Sequence, residues 1–300
     1  MSLVSFVKVT HKHHERLKQA IAESLKLIHY YFSNNWENIV IKPNICYYWD
    51  FSTGQTTDPK FVAALIDVLR EQISREINIS IVESDASAMK CKYAFKMLGY
   101  EELARNYNVK LINLSEDKSD TVEAIAGGKL FRFMIPRTIQ NADLKINLPK
   151  IKYTMEKIKI TCALKNIFGC NPYSKKFKYH SQLGEAIVAI NKAMVFNLHI
   201  IDGIIVSGIQ PHRLGLVMAS TDPVAIDTAA AKIADLNPKT IKYLQLANKE
   251  GLGNTTFIQK GESLEHFGYQ YPKKTIKTKF MSKAYSIAVQ IGLGKKLGLE

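Results

Sequence analysis

Two lysine-bearing segments carry the residues with the most chemistry to offer. An apolar run over residues 38–42 closes on Lys42-Pro43-Asn44, and a second, over 144–148, closes on Pro149-Lys150 and leads to Lys165-Asn166. Ammonium and carboxamide groups at the ends of buried strands supply what an anion needs, positive charge and N–H donors aimed at its oxygens. Thr56 and Thr57 stand just ahead of Asp58-Pro59, a helix start with Asp58 as cap and Pro59 at the first helical position, where a missing N–H costs nothing. Hydroxyls there lie beside the positive end of a helix dipole. Lys42, Asn44, Thr56, Thr57, Lys150, Lys165 and Asn166 are therefore the expected ligand-binding residues.

Carboxylates suited to acid–base or orienting work are Glu83 and Asp85, which follow a strand over 77–82, then Asp202 in Asp202-Gly203, and Asp227. Asp222 reads as the cap of a helix opening at Pro223, and the step from Asp222 to Asp227 keeps those two carboxylates off one helix face. No complete set of nucleophile, base and orienter emerges from these four candidates. The cysteines, Cys46, Cys91, Cys162 and Cys170, are scattered, without the close spacing of a zinc ribbon or a ferredoxin loop. Buried reduced thiols are their ordinary role. Cys46, Cys162 and Cys170 are the set from which an iron–sulfur cluster would have to be assembled if distant loops met.

Positioning these groups calls for an α/β fold. Residues 3–9 read as a strand and 13–33 as a helix with Leu17, Ile21, Leu25 and Ile28 along one face. A strand over 38–42, a helix over 61–73, a strand over 77–82, helices over 92–98 and 100–107, and a strand over 109–114 follow. That rhythm predicts right-handed parallel crossovers. Residues 122–125 and 129–135, joined through Ala126-Gly127-Gly128, predict an inserted hairpin. Strands resume over 144–148 and 199–207, followed by a connection over 208–215 and a short strand over 216–219. Helices then start at Pro223 and Pro238, the second reaching Glu250 and ending on Gly251-Leu252-Gly253. The expectation is a mostly parallel sheet flanked by helices, in a single α/β domain over residues 1–271. Its halves are about 1–140 and 141–271, and a basic C-terminal tail, read as a basic amphipathic helix or a solvated appendage, covers 272–300.

The formal net charge of +14 is localised rather than spread. Residues 142–180 hold nine lysines against Asp143 and Glu156, and residues 272–300 hold seven against Glu300. Such a surplus attracts a small anionic or phosphorylated ligand, a nucleic acid or an acidic membrane surface. Tyr173, Phe177 and Tyr179, interleaved with Lys175, Lys176 and Lys178, suit either base stacking or a loop laid over a pocket. No apolar run approaches the ~20 residues of a membrane-spanning helix. The amino terminus lacks the charged-then-apolar pattern of a signal peptide, so a cytoplasmic location is expected. A homo-oligomer is expected only because such assemblies are common.

Lys42-Pro43-Asn44, Thr56-Thr57-Asp58-Pro59, Asn147-Leu148-Pro149-Lys150, Ala163-Leu164-Lys165-Asn166-Ile167-Phe168-Gly169, Asp202-Gly203-Ile204 and Ala219-Ser220-Thr221-Asp222-Pro223-Val224-Ala225-Ile226-Asp227 together resemble the family catalogued as domain of unknown function 362. The resemblance covers most of residues 38–253. It implies the fold, and an enzyme or cofactor-handling protein for a small anionic ligand, more than it implies a reaction. Family members are sometimes joined to ferredoxin-like iron–sulfur modules, so the resemblance also implies that a cluster would come from Cys46, Cys162 and Cys170 or from a ferredoxin-like partner. Three departures stand out. Tyr153 and Thr154 follow Lys152 where members often carry a histidine, Gly208-Ile209-Gln210-Pro211-His212-Arg213 replaces a glycine-rich turn, and no ferredoxin module is present.

Overall fold

The structure, a computed structural model, describes residues 1–11, 13–154, 158–208 and 210–273. The first part of the chain runs β1 (Ser2–Lys8), α1 (His14–Leu27), β2 (Asn38–Pro43), α2 (Pro59–Gln72), β3 (Asn78–Glu83), α3 (Cys91–Met97), α4 (Tyr100–Asn106) and β4 (Lys110–Asn113). A hairpin of β5 (Ser119–Ala126) and β6 (Lys129–Pro136) and the short α5 (Arg137–Gln140) intervene before β7 (Leu144–Leu148). Then come β8 (Lys152–Tyr153), β9 (Ile160–Thr161), α6 (Ala163–Ile167), α7 (Leu183–Ala193), β10 (Leu198–Ser207), β11 (Pro211–Ser220), α8 (Pro223–Ile233), α9 (Lys242–Lys249), β12 (Phe257–Gly261) and α10 (Leu264–Gln270).

One sheet, in the order β12-β1-β11-β10-β7-β2-β3-β4, forms the centre of the molecule, and β8 and β9 extend it beside β10. Its pairs are parallel except β1–β11, β10–β11 and β8–β9. The mostly parallel α/β sheet with an inserted hairpin is thus as the residue patterns predict. Alternate side chains feed two apolar layers. Val40 of β2 joins the layer made with α6 to α10, whereas Ile39 and Ile41 join the layer made with α1 to α4. Asp58 caps α2 through the Lys60 N–H at 2.9 Å, and Asp222 caps α8 through the N–H groups of Val224 and Ala225. Gly127 and Gly128 take the positive φ values that a tight hairpin turn requires.

Four details differ from the sequence expectation. Residues 211–220 form a long strand, β11, antiparallel to both β10 and β1, where a connection and a short strand are expected. Gly215 is the reason: at a φ of 66° it bends the strand past Val9, whose carbonyl oxygen would lie 2.5 Å from an added Cβ. A glycine read as a turn is here an irregularity within a strand. β12 is an edge strand paired in parallel with β1, and its polar, half-exposed sequence hides the strand signal. After Asn237 a single 3-10 turn precedes α9 instead of one continuous helix, and α1 stops at Leu27, close to His29 with its positive φ. The basic tail beyond Lys273, for which an amphipathic helix or a solvated appendage is expected, lies outside the described residues.

Candidate functional site

The strands β2, β3 and β7 are parallel neighbours, so their carboxyl ends share one edge of the sheet. From β2 the chain winds outward through β3 to β4, and from β7 it winds the opposite way through β10 to β11. The reversal between β2 and β7 leaves a crevice outside the strand ends, the usual ligand position in open α/β sheets. A cavity of about 360 Å³ opens there. It is lined by Lys42, Asn44 and Cys46 at and beyond the end of β2, Glu83 and Ser84 at the end of β3, Lys152 and Thr161 from β8 and β9, Lys165 and Asn166 from α6, and Ser174, Lys176, Phe177 and His180 from the segment beyond. A larger hollow of about 1110 Å³ lies between the end of α1 and the approach to β2, near Tyr30 and Lys260. It gathers none of the sequence-derived candidates.

The floor is a buried ion pair. Lys42 Nζ donates to Glu83 Oε2 at 2.8 Å and to the Pro43 carbonyl at 2.6 Å. Glu83 Oε1 accepts from the Ser84 N–H at 2.9 Å. Gly169 lies against them: an added Cβ would stand 3.3 Å from Lys42 Nζ, close enough that the lysine would have to shift by a few tenths of an ångström. Asn166 donates through Nδ2 to Asn147 Oδ1 at 2.7 Å and more weakly to the Lys42 carbonyl at 3.3 Å. Asn147 Nδ2 in turn lies 3.0 Å from Nδ1 of His199, whose pKa burial lowers to about 4, leaving it a neutral structural partner.

Above this floor stand three more ammonium groups with no carboxylate of their own among the described residues. Lys152 donates to the Gln55 carbonyl at 3.0 Å, and Lys176 donates to Ser84 Oγ at 2.5 Å and the Asp85 carbonyl at 2.9 Å. Lys165 Nζ lies 4.9 Å from the centroid of the Phe168 ring and makes no hydrogen bond or ion pair among the described residues. Burial, and next the charges of Lys152 and Lys176, lower its pKa to about 8. The pKa values of Lys152 and Lys176 are also depressed, in each case chiefly by burial. The turn that holds the Gln55 carbonyl in place depends on Gly54, at a φ of 70°, because an added Cβ would stand 2.4 Å from the Val206 backbone.

Of the ligand-binding residues expected from sequence, Lys42, Asn44, Lys165 and Asn166 line this cavity. Thr56, Thr57 and Lys150 do not. Thr56 Oγ1 accepts from the Cys46 N–H at 3.3 Å. Thr57 Oγ1 accepts from Asn44 N–H at 2.9 Å and donates to the Leu148 carbonyl at 2.8 Å, so it stitches the β2 loop to β7. Lys150 forms an ion pair with Asp202 at 3.0 Å, both side chains being 1% exposed. Asp202 also accepts from the Asp58 N–H at 3.0 Å.

Among the other carboxylates, only Glu83 reaches the cavity. Burial of Asp85 opposes its ionisation, but bonds from Lys90 and from the Cys91 N–H outweigh it and hold its pKa below the usual range. Asp227 accepts from the N–H groups of Ala163 and Leu164 at 2.6 and 3.2 Å and so anchors the start of α6. Its pKa is pushed up to about 7, first by burial.

The three cysteines considered for a cluster do not assemble one. Cys46 lines the cavity, whereas Cys162 and Cys170 are packed into the apolar layer, where burial raises both thiols, Cys170 to about 12. Among the described residues no three His, Cys, Asp or Glu side chains come together to hold a metal.

Lys152 and Lys176 are the site-lining residues that sequence reasoning passes over. Lys152 alternates with Lys150 along an extended segment, yet Asp202 claims one lysine and the cavity the other. Lys176 is visible only as one charge in a basic, aromatic loop. Ser174, Lys176, Phe177 and His180 of that loop line the cavity. Tyr179 packs on Phe133 and Phe168, and Lys178 lies over the rings of Tyr173 and Tyr179.

The family described as "Domain of unknown function (DUF362)" matches residues 39–232. The thylakoid-associated protein sll1697 of Synechocystis sp. is 33% identical over 135 residues, a match that covers 40% of this chain and 41% of that protein. Among solved structures, the lactate racemase apoprotein from Thermoanaerobacterium thermosaccharolyticum superposes with a TM-score of 0.39 at 13% identity, over 67% of this chain and 50% of that one. The chain therefore spans about half or less of the length of both. Among the described residues no helix is long and apolar enough to cross a membrane.

Proposed function

The chain belongs to the DUF362 family, and from that premise we propose that it binds a small anionic or phosphorylated ligand in the cavity at the carboxyl ends of β2, β3 and β7, as an enzyme or cofactor-handling protein. One observation carries the reading: Lys42, Lys152, Lys165 and Lys176 line a cavity in which Glu83 is the sole carboxylate among the lining residues, and Glu83 is already paired with Lys42. Confined cations without counter-charges create a positive potential that water screens poorly, and an anion relieves it. On this reading Asn44 and the carboxamide of Asn166 add polar contacts. Thr56, Thr57, Lys150, Asp202 and Asp227 support the site without touching the ligand.

Titration calorimetry with inorganic phosphate and with acetate at low ionic strength tests this. Lys165→Ala is expected to weaken phosphate binding by roughly ten- to a hundredfold, the effect of removing one charge-assisted contact of ~1.5–3 kcal/mol, with an unchanged circular dichroism spectrum and melting temperature. Absence of anion binding to the unaltered chain, or a Lys165→Ala variant that changes only stability, refutes the reading.

A further inference from the structure

Three of the four ammonium groups around the cavity are engaged. Lys42 is bonded to Glu83 and the Pro43 carbonyl, Lys152 to the Gln55 carbonyl, and Lys176 to Ser84 Oγ and the Asp85 carbonyl. Among the described residues Lys165 Nζ alone of the four has no acceptor, and the Phe168 ring stands over one side of it. Its backbone is fixed, because Asp227 holds the start of α6 through two N–H groups. Building on the anion-binding reading above, we propose that Lys165 is a nucleophile that forms a Schiff base with a small carbonyl compound bearing a carboxylate or phosphate, the engaged lysines holding the anionic group.

The chemistry is balanced without a further reactant. The Lys165 nitrogen bonds to the carbonyl carbon as the carbonyl π bond opens onto oxygen. Both amine hydrogens then leave with that oxygen as water, and C=N replaces C=O. No electrons are exchanged, so neither oxidant nor reductant is needed. The step requires a neutral amine, and an amine with a pKa of about 8 is unprotonated to roughly a tenth at pH 7, against well under a thousandth for an ordinary lysine. Its neighbours contribute twice: their charge raises the neutral fraction of Lys165, and the same charge gathers the anionic end of the substrate beside it.

The two readings carry opposite pH signatures. Anion affinity should fall as pH rises through 8 and Lys165 loses its charge, whereas Schiff-base formation should accelerate over the same range. The test is reductive trapping of the full chain. Pyruvate or glycolaldehyde phosphate is added with sodium cyanoborohydride, and the modified lysine is located by peptide mass mapping. Lys165 is expected to be modified at least tenfold faster than any other lysine, with a half-maximal rate near pH 8 and with suppression by inorganic phosphate. Lys165→Arg, whose guanidinium does not condense with the carbonyl, should lose the adduct. Preference for pyruvate or for glycolaldehyde phosphate assigns the anion as carboxylate or phosphate. Label spread evenly over surface lysines, or an unmodified Lys165 in a chain that still binds phosphate, overturns the Schiff-base proposal and leaves anion binding standing. No label and no phosphate binding overturns both.

Discussion

Lys150 and Lys165 come from one lysine-rich stretch and meet opposite fates. Lys150 is sealed against Asp202 in a pair 1% exposed on each side, and Asp202 also anchors the loop before α2 through the Asp58 N–H. Lys165 reaches into the cavity with no acceptor among the described residues and with other ammonium groups for company. A charge removed from water costs several kcal/mol unless it is paired. The region of matched charges therefore belongs to the scaffold, and the region of unmatched charges marks where a counter-charge is to come from outside. The contrast shows that a surplus of lysines in sequence does not locate a ligand; what locates it is which ammonium groups the fold leaves without partners.

Breaking the matched region should have the largest effect. Lys150→Met strands the Asp202 carboxylate in the interior and is expected to cost about 3–5 kcal/mol in denaturant unfolding. A variant of ordinary stability would mean that the pair is not the scaffold element described here. Next comes Asp227→Ala, which orphans the N–H groups of Ala163 and Leu164 and should cost about 2–3 kcal/mol. The pH dependence sharpens the point. The Asp227 pKa is raised from 3.8 to about 7 in the folded chain, so the folded state holds this proton longer than the unfolded one. Its contribution to stability is complete below pH 4 and is lost as pH rises through 7. Melting curves from pH 4 to 8 should show that decline in the unaltered chain and a flatter profile in Asp227→Asn.

Much of this arrangement is legible in the sequence, because capping and patterning are local. Asp58-Pro59 and Asp222-Pro223 start helices where they say they do, and Gly127-Gly128 makes the hairpin turn. The convergence of Lys42, Asn44, Lys165 and Asn166 follows from the rule that parallel strands open their carboxyl ends on one edge. The division of labour within the site is not legible. Whether Lys150 or Lys152 faces the cavity depends on Asp202, far along the chain, and whether Lys176 or Lys178 turns inward depends on Ser84 and on the Asp85 carbonyl. Asp227 reads as an acid–base candidate, but its bonds to α6 are long-range and make it a structural anchor.

The smallest expected effect comes from Lys178, two positions from Lys176 and pointed the other way. Lys178 is exposed and rests 3.8 Å from the Tyr173 ring centroid and 4.9 Å from that of Tyr179. Lys178→Ala should cost about 0.5–1 kcal/mol of stability, the loss of an exposed cation–π contact, and should leave phosphate affinity within about twofold, since its charge lies outside the cavity and is screened. Calorimetry on this variant beside Lys165→Ala separates a confined site from a diffuse basic surface. On a surface that binds polyanions, every lysine counts about equally and each removal lowers the slope of log affinity against log salt by about one. Equal losses from Lys178→Ala and Lys165→Ala would therefore move the binding function out of the cavity and onto the loop that covers it.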